Sequence, residues 1–251
     1  MHLFTAICFV VEACMDLNVL EGFVEVEGRY PILITALHGF GADSYRDLVK
    51  AVRACVRVLG FVKTLGAYEE LNRLLKYSSA VDLFTWETAF KVAVAEELWA
   101  LLPTLSKVDK LSTLSTPDCN LNKGYAISTP FWRRARELVE SKKVRVVIDI
   151  HGMKDVKKWP DVCISTRGLT TASKELIDVV TAVFKAHGLR VAVDHPFVGG
   201  AFIAHFGRPL ATEAFAIEVK RSLRFCGSAI PSVVRDAIRA VKEYLKSWNS
   251  Q

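Results

Sequence analysis

Apolar runs and amphipathic stretches alternate along this chain. YPILITAL at 30–37 is apolar almost throughout, which predicts a central strand covered on both faces. Further strands are predicted over 23–27, 144–150, 161–165, 189–194 and 213–219. Between them fall helical periods: about 44–58, with Val49, Val52, Val56 and Leu59 on one stripe, then 66–77 and 86–101. Thr129 suits an N-cap and Pro130 a first turn, so a helix is predicted from there to about Glu140. Another is predicted over 171–187, stopped by Gly188. The last, about 231–247, carries Val234, Ile238, Val241, Leu245 and Trp248 at helical spacing on one face. Residues 103–128 hold Pro103, Pro117 and Gly124 among polar residues and read as a long loop.

Strands alternating with helices predict an α/β fold: a three-layer α/β/α sandwich around a mixed, mainly parallel sheet. No repeat, low-complexity tract or linker interrupts the pattern, so residues 1–251 are expected to form a single domain, with the first ~20 residues peripheral. MHLFTAICFVVEACMDL at the start is apolar but lacks a basic flank, and Glu12 and Asp16 interrupt it. It fits neither a secretory signal nor a membrane span, and a cytoplasmic protein is expected.

Composition adds little beyond this. The hydrophobic fraction of 51% and charged fraction of 24% are those of a compact folded chain. The net charge is +6, but the cations are scattered; this favours an acidic small ligand over nucleic acid. Glutamine occurs once and asparagine five times, a thermophile tendency. The six cysteines form no CxxC pair, which argues against a zinc finger.

The chemistry concentrates in three strand-end segments. In HGFGAD (38–43), Gly39 and Gly41 let the loop fold back, so His38 and Asp43 can grip one metal ion; alternatively Asp43 only caps the following helix. In IDIHG (148–152), Asp149 and His151 share a face, with Ile148 and Ile150 opposite. Asp149 suits the role of an acceptor that fixes a metal-bound imidazole. In AFAIEVKR (214–221), Ala214, Ala216 and Glu218 share a face. Glu218 suits a general base, and Arg221 a fork for a substrate carboxylate. Gly199 and Gly200 in HPFVGG permit close approach of a ligand. His195 and His205 stay ambiguous, and His187 at a helix end and His2 at the terminus have no assigned role. No GxSxG elbow, phosphate-binding loop or complete GxGxxG occurs.

Taken in order, PILITALHGFGAD, VVIDIHG, DVCISTRG (161–168), VDHPFVGGAFIAHFGRP and AFAIEVKRSLR make the chain similar to the N-formylglutamate amidohydrolase family. The likeness extends to its distant relatives, the phage-type poly-γ-glutamate hydrolases and zinc carboxypeptidases. It implies a zinc-carboxypeptidase-like fold and one Zn2+ held by His38, Asp43 and His151. It implies Glu218 as base, Arg221 beside it, and a substrate pocket bordered by Gly199, Gly200, Arg224 and Asn120. The implied reaction is hydrolysis of an amide in an N-acyl (formyl-) amino acid or γ-glutamyl substrate, a small carboxylate-bearing molecule. A non-catalytic metal- or carboxylate-binding member of the fold is the alternative. Departures are visible: Asp43 stands where Glu is common, Lys123 where an arginine is usual, and His195 where an asparagine is usual.

Overall fold

In the computed structural model, residues 23–39, 82, 84–103, 120–208, 211–224 and 227–248 are described. The helices expected over 44–58 and 66–77 lie outside them, as do Asp43 and most of the 103–128 loop. A seven-stranded sheet organises the rest: β1 (Phe23–Val26), β2 (Tyr30–Thr35), β3 (Leu98–Pro103), β4 (Val146–Met153), β5 (Val162–Ser165), β6 (Val191–Val193) and β7 (Glu213–Lys220). The spatial order is β1-β3-β2-β4-β7-β5-β6. β3-β2, β2-β4, β4-β7 and β5-β6 are parallel, while β1-β3 and β7-β5 are antiparallel. The mixed, mainly parallel sheet is therefore as expected.

Every residue of β7 is buried, and β4 is buried at all but Gly152. Such strands need apolar or internally partnered side chains on both faces. On one face Ile32, Ile34, Ile148, Ile150, Phe215 and Ile217 pack with α1 (Thr85–Glu96), α3 (Lys174–Ala186) and α5 (Ile230–Trp248). On the other, Leu33, Val147, Ala214 and Ala216 pack with α2 (Pro130–Ser141) and α4 (Ala201–Phe206). Asp149, His151 and Glu218 continue the parity of this second face.

Several local signals act as the sequence implied. Thr129 caps α2, its side chain accepting from the Trp132 amide, with Pro130 in the first turn. Gly188 takes φ 77 just past α3. The expected helix over 86–101 is corrected: it runs only from Thr85 to Glu96, and Leu98–Pro103 is β3. Glu97 at φ 53 breaks the helix, and the wholly buried LWALLP then fits between β1 and β2. The short helix α4 was also unforeseen in the stretch read as a turn and connection after HPFVGG.

The turn from α1 to β3 is clasped to α5. Glu96, 7% exposed, accepts hydrogen bonds from Arg235 Nε (2.6 Å), Arg239 Nε (2.9 Å) and Lys242 Nζ (2.8 Å). Burial works against the charge, yet Lys242, Arg235 and Arg239 hold the carboxyl down at about 2, against an ordinary 4.5. A depressed folded value stabilises above the unfolded one. Replacing Glu96 by Gln is thus expected to cost about 2 kcal/mol at neutral pH. In urea denaturation the gap between wild type and Glu96→Gln should shrink as pH falls from about 4.5 toward about 2. A gap independent of pH would show that the carboxylate charge contributes nothing.

Candidate metal and hydrolytic site

The site lies at the C-terminal ends of three parallel neighbours, β2, β4 and β7, where an α/β sheet presents side chains to a crevice. β2 leaves the sheet at Thr35, and a turn closed by the Gly39 amide on the Ala36 carbonyl (3.0 Å) presents His38. Thr35 is in register with Asp149 on β4. The Leu37 amide donates to Asp149 Oδ1 at 3.2 Å, and Asp149 Oδ2 lies 2.5 Å from His151 Nε2. Asp149 is 1% and His151 3% exposed, so this carboxylate bonds wholly to protein groups.

Asp82 enters from outside the sheet. Its amide donates to the His38 carbonyl at 2.9 Å, and its own carbonyl accepts from the Thr85 amide (3.2 Å) and hydroxyl (2.7 Å), where α1 begins. These bonds bring Asp82 Oδ2 to 3.3 Å from His151 Nδ1 and 3.7 Å from His38 Nδ1. The two imidazoles meet edge to face with centroids 4.8 Å apart. One ligand atom from each of His38, Asp82 and His151 falls within 4.8 Å of the other two. Zinc with bonds of about 2.1 Å separates tetrahedral ligand atoms by about 3.4 Å, so this nitrogen–nitrogen–oxygen set fits the ion.

Glu218 pairs in register with His151 across β4 and β7 and is 8% exposed. Burial raises its carboxyl to about 7, reinforced by Asp82 and Asp149 and opposed by His151 and Arg224. Asp82 behaves oppositely. Burial pushes it up, but the hydrogen bond from His151 and the charges of His38 and Arg224 hold it well below the usual range. Two carboxyls driven apart in this way have the electrostatics to divide proton exchange from a fixed negative charge. His151 is raised: burial opposes its charge, but Asp149 and Glu218 outweigh it. In α1, Glu87 is driven by burial to about 7.

Arg224 is the buried cation of the site, 5% exposed, its Nε donating to the Val219 carbonyl at 3.0 Å. Burial disfavours its charge, and Asp82, Asp155 and Glu218 support it. Gly152 makes room for it: a Cβ there would sit 2.2 Å from Arg224 Cζ. Arg221 is placed differently. Its Nε lies 3.5 Å from Asp155 Oδ2, in the connection after β4.

Asn120 and Asn122 close another side. Asn120 Oδ1 lies 2.9 Å from His38 Nε2, and Asn122 Nδ2 lies 3.5 Å from His151 Nε2. Gly200 abuts Asn122, where a Cβ would fall 2.0 Å from Oδ1. Trp132, 1% exposed, donates from Nε1 to the Leu121 carbonyl at 2.8 Å and so anchors this turn to α2.

His38, Asp149, His151, Glu218, Arg224 and Asn120 are thus gathered into one cluster. Gly200 borders it through Asn122, and Gly199 (φ 96) precedes α4 beside Ile203. Asp43 falls outside the described residues. His195 is exposed, His205 packs on Trp132 with centroids 5.2 Å apart, and His187 pairs with Asp236 at the surface. Asp82, Asn122 and Glu87 went unforeseen. Asp82 sits in no motif, its only local cue being an acid before a helix start, while Asn122 directly precedes Lys123, which the sequence marked only as a departure from an arginine.

Residues 129–224 match the family model described as N-formylglutamate amidohydrolase. This stretch runs from α2 past β7 and includes His151, Glu218, Arg221 and Arg224, but neither His38 nor Asn120. Over that stretch the match agrees with the resemblance drawn from the motifs, and the family it describes is one of hydrolases. No curated protein matches the chain. Among solved structures, an N-formylglutamate amidohydrolase from Ralstonia eutropha JMP134 is similar at 17% identity and TM-score 0.56, covering 91% of this chain and 99% of that one. The gene product Atu2144 of Agrobacterium tumefaciens is similar at 14% identity and TM-score 0.58, covering 90% and 95%. At these identities the likeness is one of fold.

The tight seat of Arg224 gives a direct test. Gly152→Ala is expected to cost about 1–3 kcal/mol by overpacking against the guanidinium. In an Arg224→Ala background the same change should cost much less, as read from a double-mutant cycle of urea midpoints. Equal costs in both backgrounds would mean that the two residues do not press on each other.

Proposed function

We propose that this chain is a zinc-dependent amidohydrolase acting on an N-acyl (formyl-) amino acid or a γ-glutamyl-type substrate. The observation that carries the reading is the convergence of two imidazole Nδ1 atoms on one Asp82 oxygen, beside the buried carboxyl of Glu218. The family match over residues 129–224 supports the amide as the bond cleaved.

His38, His151 and Asp82 would hold a single Zn2+, which supplies Lewis acidity to polarise a carbonyl and acidify water. The resemblance assigns the carboxylate ligand to Asp43 instead. Zinc stoichiometry of Asp43→Asn beside Asp82→Asn decides between them. Glu218 takes a proton at its carboxylate from the attacking water and returns it to the leaving nitrogen. Its buried setting suits both steps, because a carboxyl near 7 accepts and releases a proton at neutral pH. Asp149 holds His151 in orientation through Nε2.

Arg224 binds a substrate carboxylate through its guanidinium, and Gly199 and Gly200 shape the pocket wall. Arg221, held toward Asp155, supports this arrangement from the outer side. That buried cation supports the reading of a small carboxylate-bearing substrate.

Purified protein is expected to contain one zinc per chain and to hydrolyse members of a panel of N-acyl amino acids and γ-glutamyl peptides. Bound zinc with no amide cleaved would favour a binding module. His38→Ala and His151→Ala should each lose stoichiometric zinc. Glu218→Gln should keep it while kcat falls about 10²–10⁴-fold. Glu218 works as a base only when ionised, so kcat/KM should fall on acidification with an apparent pKa no higher than about 7, since a nearby cation lowers it further. Unchanged turnover in Glu218→Gln would remove it from the mechanism.

A further inference from the structure

We infer that Asn120 is the positioning residue that fixes His38 as its Nε2-protonated tautomer and so turns Nδ1 toward the metal pocket. The resemblance places Asn120 against substrate; its contacts give it a different task. A backbone N–H can only donate, and the Asn122 amide donates to Asn120 Oδ1 at 3.2 Å. That bond identifies the atom as the carbonyl oxygen of the side chain. The same oxygen lies 2.9 Å from His38 Nε2. An amide oxygen only accepts, so Nε2 carries the hydrogen, and the lone pair of the neutral ring belongs to Nδ1. Nδ1 is the atom that faces Asp82 Oδ2 at 3.7 Å.

His151 is oriented by a different partner. Its Nε2 meets Asp149 Oδ2 at 2.5 Å and its Nδ1 faces Asp82 at 3.3 Å. One imidazole is thus oriented by a carboxylate on its own strand, the other by an amide supplied from a loop 82 residues away. The 120–123 turn is tied down by three hydrogen bonds. The Lys123 amide donates to the Asn120 carbonyl at 3.1 Å. Trp132 holds the Leu121 carbonyl at 2.8 Å, and the Phe202 amide donates to Asn122 Oδ1 at 3.3 Å. The fixed turn spares His38 a choice of tautomer that a solvated ring would have to make when a cation binds.

The consequence for metal rests on the proposed zinc reading, but the tautomer does not, and the test separates them. Long-range nitrogen–proton correlation of imidazole-labelled, metal-free protein in alkaline buffer reads the tautomer. The His38 signal is assigned by its loss in His38→Gln. Wild type is expected to show Nε2 protonated and Nδ1 bare. Asn120→Leu should lose that preference and bind zinc about 10- to 100-fold more weakly in a chelator competition. Asn120→Asp keeps an acceptor and should retain both properties, even if Asn120→Leu folds poorly. A wild-type ring protonated at Nδ1 and bare at Nε2 would overturn the inference, as would Asn120→Leu with unaltered tautomer and unaltered zinc affinity. A tautomer that shifts in Asn120→Leu while wild type takes up no zinc would uphold Asn120 and sink the metal reading alone.

Discussion

A single buried carboxylate, that of Asp149, joins the fold to the site. It lies 1% exposed within an otherwise apolar strand, where an unpartnered charge would be costly. One oxygen takes the Leu37 amide as β2 leaves the sheet, and the other takes His151. The same group therefore fixes how β2 exits beside β4 and which way the imidazole points. A one-residue slip between these strands would move Asp149 to the isoleucine-lined face and empty the crevice.

Around it, charges are set against one another in a dry setting. Asp82 is kept ionised by its histidine and arginine neighbours, while Glu218 is held up at about 7 by burial. The cations answering them, His151 and Arg224, are themselves buried. At low effective dielectric such groups interact strongly, so each residue's ionisation depends on the others. The arrangement suits the proposed function, in which the site holds a divalent cation and keeps one carboxyl ready to exchange a proton.

The layers behind the sheet serve this geometry. Trp132 packs edge to face on Phe202 with centroids 5.2 Å apart and at the same time anchors the 120–123 turn. Core packing and the placement of Asn120 and Asn122 are therefore one event. On the opposite face the Glu96 clasp ties α1 to α5, and Asp82 lies just ahead of α1.

Periodicity alone determined much of this protein. Buried strands such as VVIDIHG and EAFAIEVK, the Thr129–Pro130 helix start and the Gly188 stop are local, because side-chain alternation and capping act over a few residues. Asp149, His151 and Glu218 were legible for the same reason: a charge at fixed parity in an apolar strand needs a partner. Tertiary structure alone decided what lies between distant segments. Asp82 reaches His38 through a backbone bond across 44 positions, and no spacing rule encodes that. Arg224 rather than Arg221 is the buried cation because the turn after β7 folds back over Gly152. Leu98–Pro103 became a strand because β1 and β2 offered it hydrogen-bonding edges, a choice that an apolar run cannot make for itself.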